Sequence, residues 1–265
     1  MTGTSAGLAA VRLAAREAVA RGRLLRIVHA FTWHEGGRAE ASRVVGEAVA
    51  TAQRSTPRVR VTGQLVDGPA DRVLIRLSRT AELLVLGDDD LATTPWLPPA
   101  SVLVQTVARA WCPVLVARGP RPPSGPLLAA VDGSPSSLPT LRHAAAEAVR
   151  RRAPIEVVHV TKGPVEDGRR LLARVVAAVP DLARASTRVV PGDAVGPALV
   201  RESGKARMIV LGPRGEHDAG LLGSVARELL HRGACPTFFV HGRTLPAQRI
   251  PAQPARLSRS ARQKT

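Results

Sequence analysis

Tyrosine is absent from this 265-residue chain, and three phenylalanines and three tryptophans are its only large aromatic residues. Any core must therefore be aliphatic, drawn from the Val, Leu, Ile and Ala that bring the hydrophobic share to 45%. Such residues suit a parallel sheet buried on both faces by helices. Two cysteines cannot build a disulfide framework, which points to a reducing compartment. No apolar run approaches the roughly 18 residues of a membrane span. The amino-terminal stretch LAAVRLAAREAVA carries charges inside its apolar part, unlike a signal peptide. The expectation is a cytoplasmic protein with no membrane partner. Neither a Cys–His pairing motif nor H-E-x-x-H is present, and no metal-binding set of Asp, His or Cys is read around His29 or His159. An enzyme is not expected, and neither a catalytic residue nor a metal site is assigned.

Lysine is also scarce: only Lys162, Lys205 and Lys264 occur, so arginine carries most of a net charge of +17. Residues 241–265 hold six basic and no acidic side chains. That Pro-interrupted segment, 242–265, reads as a disordered basic tail. Such a tail can hold anionic polymers weakly and with steep salt dependence. It has no aromatic residue for base stacking, so specific nucleic-acid binding is not expected.

What the chain does contain is itself, twice. VRLAAREAVARGRLLRIVHA at 11–30 aligns with LRHAAAEAVRRRAPIEVVHV at 141–160, and nine of the twenty positions are identical. The pairs include Glu17/Glu147, Arg21/Arg151 and His29/His159. ELLVLG at 82–87 matches RMIVLG at 207–212, and WCPVLVA at 111–117 matches ACPTFFV at 234–240. The order of matches is preserved, which marks a tandem duplication. Within the second copy short apolar strands (PLLAAV, IEVVHV, STRVV, ARMIVL, PTFFV) alternate with helical patterns. This alternation predicts an α/β fold, with two tandem five-stranded parallel-sheet units of Rossmann-like type. The expected organisation is a first unit at 1–118, a Pro/Gly-rich linker at 119–125, a second unit at 126–241, and the tail. Ligands of such sheets sit beyond the carboxyl ends of the strands.

AAVDGSPSS, VVHV, the glycine loop LGPRGEHDAGLLGS and ACP together resemble the universal stress protein family. The resemblance spans both units. It implies a stress-response regulatory protein, with ATP, with or without magnesium, as the cofactor. It also implies site residues in the second unit: Asp132 near the ribose, Val160 touching adenine through its backbone, and Gly212, Gly215, Gly223 and Ser224 holding the phosphates. Arg214 can add a charge-assisted contact. Glycine lets the main chain approach an anion, and the helix starting near Ser224 aims its first N–H groups at it. One departure matters: seven residues separate Gly215 from Gly223 instead of the family's nine, and His217 and Asp218 lie among them. The alternatives are a nucleotide-independent tandem scaffold, the loop being inherited and idle, or weak anionic-polymer binding through the tail. The resemblance further implies an intrachain pseudo-dimer joined through the last strands; whether pseudo-dimers pair again, and with which protein partner, stays open.

The first unit lacks the equivalent site. With the offset of 130, Met1–Thr4 lies over Val131–Ser134, so the first strand is missing and Thr2 stands where Asp132 does. Gly87 is retained, but Asp90 replaces the second glycine and Ala100-Ser101 replaces Gly-Ser. Three carboxylates, Asp88 to Asp90, and several prolines fill the cradle, which repels a phosphate. The expectation is that this unit binds no ATP, that a gap in its sheet would be costly, and that Met1 is an internal GTG codon at the Val131 position.

Three lesser signals are expected to be structural. GPVEDGRR at 163–170 has P-loop glycine spacing but lacks the Lys and Ser/Thr that meet phosphates and magnesium. His29 and His159 repeat a strand-end position. Cys112 and Cys235 each precede a proline that opens a last strand, as small buried hydrophobes do.

Overall fold

The computed structural model describes residues 3–32, 37–88, 97–118, 124–215 and 221–241. The expected linker residues 119–123, the tail, Asp89, Asp90, His217 and Asp218 lie outside the described residues. The first half runs α1 (Ser5–Arg21), β1 (Leu25–Phe31), α2 (Arg38–Ser55), β2 (Val61–Asp67), α3 (Ala70–Leu77), β3 (Leu84–Leu86), α4 (Val102–Arg109) and β4 (Val114–Val116). The second runs β5 (Leu127–Ala130), α5 (Ser137–Arg151), β6 (Ile155–Thr161), α6 (Val165–Ala177), β7 (Ser186–Pro191), α7 (Val195–Ser203), β8 (Met208–Leu211), α8 (Ser224–Arg232) and β9 (Thr237–Phe239).

Seven strands form one sheet in the order β3-β4-β9-β8-β5-β6-β7, and β1 pairs only with β2 in a separate two-stranded sheet. All neighbours within the second half are parallel. β4 and β9, the last strands of the two halves, run antiparallel, with Leu115 opposite Phe238. The halves are thus continuous through their last strands. Among the described residues the second half has five strands and the first has four, divided between the two sheets.

The strands are short aliphatic runs because both faces are covered. Leu127, Ala129, Ile209, Val210 and Leu229 are fully buried. One cluster joins β4, β8 and α8; another joins β5, α5 and α6 on the opposite face. Phe238 and Phe239, two of the three phenylalanines, are buried at the junction on opposite faces of β9. The alternation of side chains across a strand sends each into a different layer.

GPVEDGRR is a helix start, as its composition predicts. α6 begins at Val165, Glu166 and Asp167 occupy its first turn, and Gly168 is buried inside the helix. A Cβ on Gly168 would come within 2.8 Å of Val189 Cγ1, so glycine there serves packing. His159 likewise has a structural bond, its Nδ1 lying 2.9 Å from the Val131 carbonyl oxygen. Cys112 and Cys235 are buried free thiols, and loss of hydration pushes both up to about 12.

Candidate functional site

A cavity of about 110 Å³ opens at the carboxyl ends of β5, β6 and β8. On the scale of one water per roughly 10–15 Å³, it has room for several waters or a small flat ring. Six of the seven residues expected to form a site line it: Asp132, Val160, Gly212, Arg214, Gly215 and Gly223. The seventh, Ser224, is the first residue of α8 and stands just beyond the lining. Chain segments far apart in sequence are brought together because β5 lies between β6 and β8.

Asp132 follows β5 and is held by the turn that leads into α5. Its Oδ1 accepts the Ser134 N–H at 2.9 Å and the Ser137 hydroxyl at 3.3 Å. Gly133 between them has φ +85°, a left-handed conformation that glycine adopts without strain. Its N–H donates to Ser137 Oγ at 3.1 Å. The carboxylate is thereby fixed in orientation at the rim. Val160 sits at the end of β6, 8% exposed, and forms an apolar wall with Val158, Leu199 and Leu211.

Gly212 leaves β8 directly against the start of α5. A Cβ on it would lie 3.1 Å from Ser136 Oγ, so a larger residue there would require the Ser136 side chain to give way by a few tenths of an ångström. Past Arg214 the loop returns at Gly223, whose N–H donates to the Pro213 carbonyl at 2.9 Å. This bond closes the loop of the shortened motif at its base. Gly223 is the N-cap of α8, and as a glycine it brings no side chain of its own to cap that helix. The helix end carries the partial positive charge of its first-turn N–H groups.

Three polar lining residues were not foreseen in the sequence: Ser136, Ser137 and Thr140. Thr140 is 1% exposed, and among the described residues its Oγ1 has no hydrogen-bond partner. A buried hydroxyl left unsatisfied costs free energy, so a ligand atom that meets it restores what the fold forgoes. The SPSSLPT run supplied the signal, but only the packing of α5 shows which hydroxyl faces the cavity.

The corresponding region of the first half is built differently. Gly87 keeps its role: a Cβ there would meet the Ala6 carbonyl oxygen at 3.1 Å. Asp88 is paired with Arg118 at 3.2 Å, so the first of the three acids is neutralised. α4 is capped by Ser101, whose Oγ accepts the Val104 N–H at 3.1 Å. The N-cap of α8, Gly223, has no such side chain.

One motif escaped the sequence reading. Gly3-Thr4-Ser5-Ala6-Gly7 has the G-x-S-x-G spacing of a nucleophile elbow. Thr4 caps α1 by accepting the Gly7 N–H at 3.1 Å, and Ser5 is exposed at the first helical position. Among the described residues no histidine or carboxylate hydrogen-bonds Ser5, so the arrangement that activates such a serine is not assembled there. Nor do the described residues hold a cluster of three or more His, Cys, Asp or Glu that could bind a metal. No helix among them is long and apolar enough to cross a membrane.

The sheet order, its parallel strands and the cavity at their carboxyl ends define a Rossmann-like α/β protein. Residues 124–191 match the family model described as the universal stress protein family. A universal stress protein of Mycobacterium tuberculosis (strain ATCC 25618 / H37Rv) is 29% identical over 232 residues, 77% of this chain and 78% of that protein. The fold matches the crystal structure of a universal stress protein from Archaeoglobus fulgidus DSM 4304 at a TM-score of 0.66 and 16% identity, covering 89% of this chain and 92% of that one. A universal stress protein from Archaeoglobus fulgidus solved in complex with dAMP is 25% identical over 44% of this chain, with a TM-score of 0.36. Residues 124–191 thus match the universal stress protein family's model, and most of the chain is similar to members of that family in sequence and in fold.

Proposed function

We propose that this protein is a stress-response regulator that holds ATP in its second half only, and that it signals by occupancy rather than by catalysis. The observation that carries the reading is the convergence of Asp132, Val160, Gly212, Arg214, Gly215 and Gly223 on one cavity beside the start of α8. The residues present fit such a ligand. Asp132 is positioned to accept from a ribose hydroxyl, and the apolar wall suits a flat base. The α8 end suits a phosphate. Thr140 offers a buried hydroxyl to the same ligand. Magnesium would arrive with the phosphates, since among the described residues the cavity lining contributes a single carboxylate, Asp132.

A second reading, a tandem scaffold that works without nucleotide, is favoured by one observation. The Gly223 N–H is committed to Pro213, so one donor of the expected cradle is already engaged. Equilibrium binding of labelled ATP to the purified protein separates the two readings. Binding that is lost in Asp132→Ala and in Gly215→Asp supports the nucleotide reading. No binding at millimolar ATP by the unaltered, folded chain would leave the scaffold.

A further inference from the structure

Glu17 and Glu147 are the only carboxylates of α1 and α5, and both are buried, at 7% and 3% exposure. Each is turned toward the other helix: Arg21 donates to Glu147, and Arg151 donates to Glu17. Residue 17 thus stands by 151 and residue 21 by 147, so the two helices run antiparallel where they meet. Both cover the same face of the seven-stranded sheet, over Leu115 and Phe238 at the junction of the halves. With their acids folded inward, the outer face that they share is basic.

Arg12, Arg16 and Val19 follow one another at i, i+4 and i+7 on α1, and Arg142, Ala146 and Val149 do so on α5. Each triplet lines one stripe of its helix, and all six residues are exposed. Among the described residues no ion pair engages Arg12, Arg16 or Arg142. By contrast Glu40 of α2, and Glu166 and Asp167 of α6, are paired with Arg43, Arg169 and Arg170 on their own helices. Val19 and Val149 are 39% and 76% exposed, and each stands midway between the two ion-paired residues of its helix. Seven residues at 1.5 Å each put Arg12 about 10 Å to one side of this centre and Arg142 about 10 Å to the other. The surface therefore has an apolar middle and an arginine toward each end.

Each feature narrows the occupant. Unpaired arginines beside exposed apolar side chains are the composition of a protein interface. A second copy of this face would set arginine against arginine, so self-association does not satisfy it. A nucleic-acid backbone would meet the arginines but offer nothing to the valines. We propose that the outer face of α1 and α5 docks an acidic amphipathic helix of another protein, apolar at its middle and carboxylate-bearing toward both ends. Its apolar side chains would cover Val19 and Val149, and its carboxylates would pair with Arg12, Arg16 and Arg142. Docking there needs no nucleotide.

The probe is a labelled synthetic helix of about 14 residues, long enough to span the surface at 1.5 Å per residue, with leucines at its middle and glutamates at both ends. Its binding to the full chain is followed by fluorescence anisotropy. Arg12→Ser/Arg16→Ser/Arg142→Ser is expected to weaken binding about tenfold or more. A charge-matched control, Arg43→Ser/Arg169→Ser/Arg170→Ser, removes three arginines from the flanking helices and is expected to bind as the parent does. Val149→Ser is expected to weaken binding severalfold with no change of net charge. Equal losses in the two arginine variants, or none in either, would overturn the proposal, since binding would then follow bulk charge, the six basic residues of 241–265 included. So would failure of the parent to bind the probe, or tighter, Arg12-dependent binding of duplex DNA or of phosphatidylglycerol vesicles.

Discussion

Arg21 of α1 donates to the Glu147 carboxylate of α5 at 2.7 Å, and Arg151 of α5 donates to Glu17 of α1 at 2.6 Å. These are the same two contacts, exchanged between the halves by the repeat. Each arginine also pairs with the glutamate four residues before it on its own helix. All four side chains are largely buried, those of Arg21 and Glu147 at 5% and 4% exposure. Together with the β4–β9 pairing, this ring joins the halves. At the far ends of the last strands a second reciprocal contact appears: Arg118 reaches the Leu229 carbonyl, and His241 lies 2.6 Å from the Val107 carbonyl.

Removing one member of the ring should be costly. Arg21→Met leaves buried Glu17 with Arg151 alone and Glu147 with Arg150 and Arg151, and a loss of about 3 kcal/mol is expected in urea unfolding. Replacing all four members with apolar residues of similar size should cost far less than the single change. A single variant as stable as the parent would show that the ring is hydrated in solution.

The cysteines should be silent in the native state. Cys112 and Cys235 have thiols pushed up to about 12 by burial, so little thiolate exists at pH 8. Iodoacetamide labelling should follow unfolding and not precede it. The sign of the linkage is fixed: stability is unaffected below the unfolded thiol value of about 8.5 and declines as pH rises from there toward about 12. Rapid labelling of the folded protein at pH 8 would contradict this.

Thr140→Val should act in opposite directions on stability and on binding. Removing an unsatisfied buried hydroxyl should stabilise the empty protein by about 1 kcal/mol. The same change should weaken ATP binding about tenfold, the equivalent of one lost hydrogen bond. Thermal unfolding with and without ATP reads both effects. A variant with unchanged ATP affinity would remove Thr140 from the site.

An acid-limb effect is expected at Arg188. Its guanidinium bonds Glu156 at 2.8 Å and Glu202 at 2.7 Å. The hydrogen bond from Arg188 holds the Glu202 carboxyl below the usual carboxylate range. Because the folded value is depressed, this stabilisation is present above the unfolded carboxylate value of about 4.3 and is lost as pH falls through the folded value. Arg188→Met should therefore destabilise the protein at pH 7, and the difference should shrink below pH 4. A difference that is constant with pH would assign the effect to packing.

The duplication was legible because identity at a fixed offset survives where function has changed. Aligning Met1–Thr4 with Val131–Ser134 sets Thr2 where Asp132 stands, and among the described residues no strand joins β1 to β3. Asp132, Val160 and the glycines of the cavity were legible too, since chain reversals at strand ends demand particular residue types. Contacts made across the fold were not. Nothing local indicates that Thr140 is buried at the cavity, that Gly223 closes on Pro213, or that Asp88 is neutralised by Arg118. The repeat marked Glu17 and Arg21 as shared with Glu147 and Arg151, but only the packing of α1 against α5 reveals that each pair completes the other.

The most direct test of the account is a crystal structure of the full chain grown with ATP. The account predicts nucleotide in the cavity beside Asp132, with its base against Val160 and its phosphates at the start of α8, and none beside Gly87. Nucleotide seated against Asp88 in the first half, with the second cavity empty, would contradict it.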